Sequence, residues 1–199
     1  MRLLRPALLL AAVATFSLAG SALAAGPKSL TFADPAKDNV SPTASGDITG
    51  VTFTTSGPGK GAAYKPKNLV VTLALGGAPG TNGTTMHHVG WTIDGCEYYM
   101  NAASGARVSA DFGFADCGSA PDATGDSGTS FGFSVLPKGN SLVFKVVIKD
   151  LPNKVQLGSD LGGLNAWTDA VEPTGFFGPA SFGQPLYDQA RTFQEYTLG

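Results

Sequence analysis

Apolar and polar residues alternate with a period of two in short runs along most of this chain. That is the spacing of half-buried strands, because successive side chains of a strand point to opposite faces. The clearest run is Asn68 to Leu75, where Leu69, Val71, Leu73 and Leu75 share one face and Val70, Thr72 and Ala74 the other. Ser29 to Asp34 gives a short first strand. Ile48, Val51 and Phe53 mark a second, in which Gly50 reads as a bulge that restores the phase. Thr85 to Ile93 sets Val89, Trp91 and Ile93 together, and Asp94-Gly95 reads as a tight hairpin turn into Cys96 to Asn101.

Further on, Arg107 to Ala115 carries Val108, Ala110, Phe112 and Phe114 in phase. Ser130 to Leu136 and Ser141 to Leu151 form a pair about Pro137 to Asn140, with Lys145 and Lys149 on the wet face. Leu161 to Val171 is ambiguous by period, and Asn165-Ala-Trp-Thr168 suits a strand better than an isolated helix. Glu172 to Pro185, with Phe176, Phe177 and Phe182, reads as a packed surface loop, and Thr192 to Leu198 as a terminal strand. Nine or ten short strands at close spacing predict an all-β chain, folded as one antiparallel β-sandwich domain. A closed barrel is the alternative.

The chain's composition agrees, with 27 Gly, 13 Pro and only 14% charged residues. The first residues read differently. Arg2 and Arg5 make a positive head, Ala7 to Leu18 an apolar core, and Ala22-Leu-Ala24 a small-residue cleavage site, the layout of a secretory signal over residues 1–24. The apolar run is short for a membrane span, which needs ~20 residues. The expectation is therefore a domain over residues 25–199, secreted to the extracellular space or periplasm, with no membrane insertion once the signal is removed. Loss of Arg2 and Arg5 takes the formal charge from −2 to about −4, and that mild acidity argues against a nucleic-acid partner.

Two cysteines, Cys96 and Cys117, then fall in an oxidising compartment, where an even count points to a disulfide. Closing a loop of this length stabilises by roughly 3 kcal/mol in the chain-entropy model. Paired metal thiolates are the competing reading, and no His or Cys stands close by to complete such a site.

Carboxylates concentrate in one turn-rich connection, Asp34-Pro-Ala-Lys-Asp38-Asn, with Asp47 opening the next strand. Calcium takes six to eight oxygens, often from carboxylates and carbonyls on a turn. Asp34, Asp38 and Asp47 offer three, and Asp188 a fourth if the ends of the domain pair. The competing reading is a set of Asx turns closed by their own hydrogen bonds. The run Asp34-Pro-Ala-Lys-Asp38, then Asp47-Ile48, then the apolar strand at Leu69 to Leu75 resembles the start of DOMON-like sandwiches. That group includes family 9 carbohydrate-binding modules and the C-terminal domain of glucodextranase-type proteins. In them a D-P-x-G-D turn followed by D-I or D-L leads into the first long strand and accompanies a bound calcium. Lys138 to Ile148, Leu151-Pro152, Asn165-Ala-Trp-Thr168 and Asp188 fit the family's late strand order. Lys37 stands where the pattern has Gly, and the gap to Asp47 is long. The resemblance implies a sandwich, a calcium at these carboxylates and a carbohydrate ligand. The family's paired sugar-stacking tryptophans have no counterpart by motif.

Other candidates carry less. Asp122 to Gly128 is acidic and Gly-rich but lacks the closing Glu of an EF-hand. Gly125-Asp-Ser-Gly128 spells a serine-protease nucleophile motif without the surroundings a triad needs. His87 and His88 are strand neighbours, so they point to opposite faces, one expected in the sheet and the other exposed. Trp91 reads as core. Trp167 and one of Tyr98 and Tyr99, taken as Tyr99, are the candidate aromatic platform for a sugar. Asn39-Val-Ser41 and Asn82-Gly-Thr84 are glycosylation sequons.

The sequence therefore predicts a non-catalytic secreted binding module for a glycan or cell-surface component, with a structural calcium. A structural or adhesion sandwich without a small ligand is the second reading. A hydrolase ranks last, for want of an acid/base or nucleophile set.

Overall fold

The Asn68–Leu75 run is the centre of the fold. In a computed structural model of the chain, residues 28–34, 41, 43–80, 85–103, 109–115, 133–151, 155–170 and 186–199 are described. Eleven strands are found among them: β1 Ser29–Ala33, β2 Ile48–Ser56, β3 Asn68–Leu75, β4 Thr85–Ile93, β5 Cys96–Ala103, β6 Ser109–Ala115, β7 Ser134–Pro137, β8 Ser141–Val147, β9 Asp160–Ala170, β10 Leu186–Arg191 and β11 Tyr196–Thr197. β3 lies mid-sheet because both its faces are largely apolar and its pattern has no Gly or Pro to break the ladder.

All pairings are antiparallel. One sheet runs β1-β2-β3-β8-β7 and the other β10-β9-β4-β5-β6, with β11 pairing the start of β9. The predicted bulge in β2 is present, since the register against β3 shifts between Ile48 and Gly50. So is the hairpin turn: Asp94 at φ 50 and Gly95 at φ 80 both occupy the left-handed region that a two-residue turn demands. The ambiguous run is strand β9, over Asp160–Ala170. The end of the chain differs from expectation. Residues 192–195 form no strand, and the pairing is split between β10 and the two-residue β11. β8 ends at Val147, and Ile148–Asp150 continue as a 3-10 turn.

The sheets pack face to face rather than closing on one another, so the architecture is a sandwich. Val51, Phe53, Leu69, Val71, Leu73, Leu142, Phe144 and Val146 of the first sheet meet Val89, Trp91, Tyr98, Met100, Phe112, Leu164 and Ala166 of the second, all at most 1% exposed. Phe53 meets Trp91 edge-on at 6.5 Å across the layers, and Trp91 stacks on Tyr98 at 5.7 Å. That assigns the faces of the second sheet. Residues 87, 89, 91, 98, 100, 166 and 168 look into the core, and 88, 90, 99, 101, 165, 167 and 169 look out.

Residues 1–27 lie outside the described set, as do Pro35 to Val40, with Asp38 and Asn39, and Asn82, Cys117, Asp122 to Gly128 and Glu172 to Pro185. Cys96 opens β5 and is 3% exposed, and no described cysteine is free. No helix among the described residues is long and apolar enough to cross a membrane.

Candidate functional site

Two polar constructions are built into this apolar frame, one at an end of the sandwich and one on the outer face of the second sheet. The first begins with Ala44–Gly46, a single 3-10 turn ahead of β2. Its carbonyls are taken up by side chains from the second sheet: the Nε2–H of His87 donates to the Ser45 carbonyl at 2.8 Å, and the Thr168 hydroxyl donates to Gly46 O at 2.6 Å. The Asp188 carboxylate accepts the Ile48 N–H at 2.5 Å and the Gln189 N–H at 2.8 Å. Buried backbone groups need such partners, and here three side chains supply them. His87 is fully buried, and desolvation pushes its pKa below the usual 6.5 against the raising effect of the Ser45 and Ala102 carbonyls.

Three of the predicted calcium ligands lie beside the start of β2. Asp47 is 4% exposed, with its carboxylate against Gly76, where a Cβ would collide with Oδ2. Asp188 is 7% exposed and bonded to the residue after Asp47. Asp34 follows β1, and its N–H donates to Thr49 O at 3.4 Å. Hard carboxylate oxygens suit calcium. Among the described residues, however, no group of three or more His, Cys, Asp or Glu side chains is spaced to hold a metal. Both oxygens of Asp188 also serve backbone N–H groups.

The second construction sits in the middle of β4, β5 and β9. Register places Asn101 and Trp167 on either side of His88, and Tyr99 and Asn165 on either side of Gly90. The His88 ring stacks on the Trp167 indole at 4.6 Å and an interplanar angle of 3°. Its Nδ1 stands 2.7 Å from Asn101 Oδ1 and its Nε2 3.1 Å from Asp169 Oδ1. Two glycines make room for flat side chains on this face. A Cβ on Gly90 would lie 2.7 Å from Asn165 Oδ1 and 3.3 Å from Trp167 Cζ3, and one on Gly113 would run into the Tyr99 ring.

The predicted platform residues thus share a face, Tyr99 and Trp167 on it and Tyr98 turned to the core. Exposure differs from expectation: Trp167 is half-buried, and Tyr99 is only 7% exposed. Both histidines are buried, His88 at 4%, so neither is the exposed member of the pair. They do face opposite ways, as strand alternation requires. Three atoms of the outer face, Asn101 Nδ2, Trp167 Nε1 and Asn165 Oδ1, are shielded from solvent and meet no hydrogen-bond partner among the described residues. Trp91 Nε1, in the core, is likewise without one.

The sequence reading missed Asn101, Asn165 and Asp169. A strand pattern read one run at a time cannot show that residues 68 positions apart, Asn101 and Asp169, flank one imidazole. The available signal was the polar alternation itself, with His88, Asn101, Asn165, Trp167 and Asp169 all in the phase opposite to the apolar set.

The fold and this polar, aromatic outer face define a two-sheet antiparallel sandwich with a candidate binding surface. No family model matches the chain, and neither a curated protein nor a solved structure matches it.

Proposed function

We propose that this chain is a non-catalytic, secreted binding module that takes a carbohydrate or cell-surface component on the outer face of its second sheet. The observation that carries the reading is the Trp167 indole, stacked on His88 with its Cζ3 edge close to Gly90, in a row of aromatic and polar side chains with Tyr99. Flat apolar rings next to hydrogen-bonding groups suit sugar rings, which have apolar faces and polar edges. The two ring nitrogens of His88 are held by Asn101 Oδ1 and Asp169 Oδ1, a His–carboxylate pair that is also the feature a hydrolase would need. Native electrophoresis through gels containing soluble polysaccharides tests the proposal. The wild-type chain is expected to be retarded and Trp167→Ala not, at an unchanged fold. Unretarded migration in every polysaccharide would sink it.

A second reading, a structural or adhesion domain without a small ligand, is favoured by one observation: Tyr99, at 7% exposed, offers a ligand little surface. The same gels decide between the two.

The proposal includes a structural calcium at Asp34, Asp38, Asp47 and Asp188, supported by the placing of Asp34, Asp47 and Asp188 beside the start of β2. A ligand at 100 times its dissociation constant stabilises by ~2.7 kcal/mol. Millimolar calcium should therefore raise the melting midpoint above that in EDTA, and Asp47→Ala should abolish the rise. An unmoved midpoint removes the metal. It also includes a Cys96–Cys117 disulfide, for which thiol titration of the exported, denatured chain should find no free thiol.

A further inference from the structure

Lysines gather at one end of the first sheet, although the chain as a whole carries a formal charge of −2. Lys60, Lys65 and Lys67 lie on the connection from β2 to β3, which folds back through Lys65 N–H to Pro58 O and Lys67 N–H to Ser56 O, both at 2.9 Å. Lys149 follows β8 and is tied to that connection, because the Ile148 N–H donates to Lys67 O at 3.0 Å. Lys145 stands further in along β8, opposite Val70 on the outer face. Lys28 precedes β1, and its carbonyl accepts the Thr54 and Tyr196 hydroxyls. All six are exposed, and the chain has only 13 lysines and arginines in total. Among the described residues only Lys149 pairs with a carboxylate, that of Asp150 at 3.8 Å. Neighbouring ammonium groups repel one another, and a negatively charged partner relieves that repulsion.

The make-up of the cluster selects the partner. Every member is Lys, a point charge on a flexible stem, where the fork of an Arg would grip a single phosphate or carboxylate through two bonds. The six span the sheet from β1 through β2 and β3 to β8, so the patch extends in two directions. A planar array of anions matches such a patch better than one polymer strand does. Clusters of this size hold proteins to anionic lipid surfaces, each lysine raising the partition about fivefold (~1 kcal/mol). Leu157, 50% exposed on the stretch that leads into β9 at this end, adds an apolar side chain for the headgroup layer. The second sheet sets the tilt. Its edge at the same end, marked by the Tyr196 hydroxyl on Lys28 O, carries the exposed Asp94, Glu97, Asp160 and Glu195. Lipid phosphates repel that layer, so the rim and outer face of the first sheet turn toward the surface.

We infer that the chain rests on an anionic lipid surface through the lysine end of its first sheet, by charge and without inserting a segment. The patch is separate from the Trp167 face, and the inference stands apart from the binding reading above.

Flotation of the exported chain with lipid vesicles tests it. The chain should rise with vesicles of equal parts phosphatidylcholine and phosphatidylglycerol at low salt, and not with phosphatidylcholine alone. Salt at ~1 M, where the Debye length is ~3 Å, should release it. Lys65→Gln with Lys67→Gln should cut the partition about 25-fold, and Lys145→Gln, in a different element, about fivefold. Lys138→Gln is the control, since Lys138 is exposed in the turn between β7 and β8 at the opposite end, and it should bind as the wild type does. Trp167→Ala should also bind unchanged. Flotation with phosphatidylcholine alone, or flotation that survives high salt, would show that charge is not what holds the chain. A loss in Lys138→Gln equal to that in Lys145→Gln would mean that net charge alone matters and the patch does not. A loss in Trp167→Ala would move the contact to the second sheet. Retention on immobilised polyphosphate without vesicle binding would make the partner a soluble polyanion, and no binding to either would leave the patch a solvated rim. Each of these results overturns the inference.

Discussion

Gly113→Ala tests whether the outer face is as closely fitted as its geometry indicates. A Cβ at this position would fall inside contact distance of Tyr99 Cζ and its hydroxyl oxygen, and 2.7 Å from Cε2. Real Cβ atoms essentially never come that close, so the ring must leave or β6 must move. Tyr99 is 7% exposed, which leaves it little room to retreat. Overpacking of this kind costs ~1–3 kcal/mol. For a domain of this size each kcal/mol moves the midpoint by roughly 2–4 °C, so a fall of about 2–12 °C is expected in a thermal melt. Gly162→Ala is the control, since its Cβ would meet only Thr92 Oγ1, at 3.4 Å. It should stay within ~0.5 kcal/mol of wild type. The double variant Tyr99→Ala with Gly113→Ala isolates the cause. With the ring gone the methyl has space, so the double variant should melt near Tyr99→Ala alone, a coupling of ~1–3 kcal/mol. Additive losses, or a Gly113→Ala chain as stable as wild type, would refute the ring-over-glycine geometry.

Acid should weaken the fold partly through His87. Its folded pKa lies below 6.5, so the unfolded chain binds the proton first, and stability falls as pH drops from 6.5 toward the folded value, by at most ~1.4 kcal/mol per unit. Urea titrations between pH 5 and about 7.5 should show a shallower acid loss for His87→Gln than for wild type. At the alkaline end, burial pushes the Tyr196 hydroxyl up to about 12 from 10.0, and that hydroxyl donates to Lys28 O. The unfolded phenol ionises first, so stability should fall as pH rises through 10, a loss that Tyr196→Phe should lack. Asp188→Ala should cost ~1.5–3 kcal/mol in a denaturant melt, by leaving the buried Ile48 N–H without its charged acceptor.

Strands were legible where apolar residues alternated without interruption. β3 and β8 follow directly from Leu69-Val71-Leu73-Leu75 and Leu142-Phe144-Val146, because period two fixes which side chains meet the core. Gly50 and Asp94-Gly95 were legible because a bulge and a two-residue turn require those residue types. The end of the chain was not. Thr192 to Leu198 alternates weakly, and what sets its structure is nonlocal: Thr192 N–H bonds to Leu164 O and Tyr196 pairs with Leu161. Exposure on the outer face was also hidden. His88 and Tyr99 have the phase of a solvent face, but they pack into a layer of their own made of residues from β4, β5 and β9.

The strand order also governs when this chain can fold. The central pair of the first sheet joins β3 to β8, Asn68 opposite Val147, and that of the second joins β4 to β9, Thr85 opposite Ala170. The first sheet cannot be completed before residue 147 has been made, nor the second before residue 191. Nascent chains shorter than 147 residues hold only the three-stranded units β1–β2–β3 and β4–β5–β6, each with a bare apolar face. Pairings this distant in sequence close slowly, because the entropy of a long loop must be overcome before the contacts form. Until then β4 and the Val- and Leu-rich β3 expose ladder edges, the kind that join other chains. A strand order of this sort favours release of the whole chain before it condenses, and it makes truncation ahead of β9 a route to aggregation rather than to a smaller folded unit.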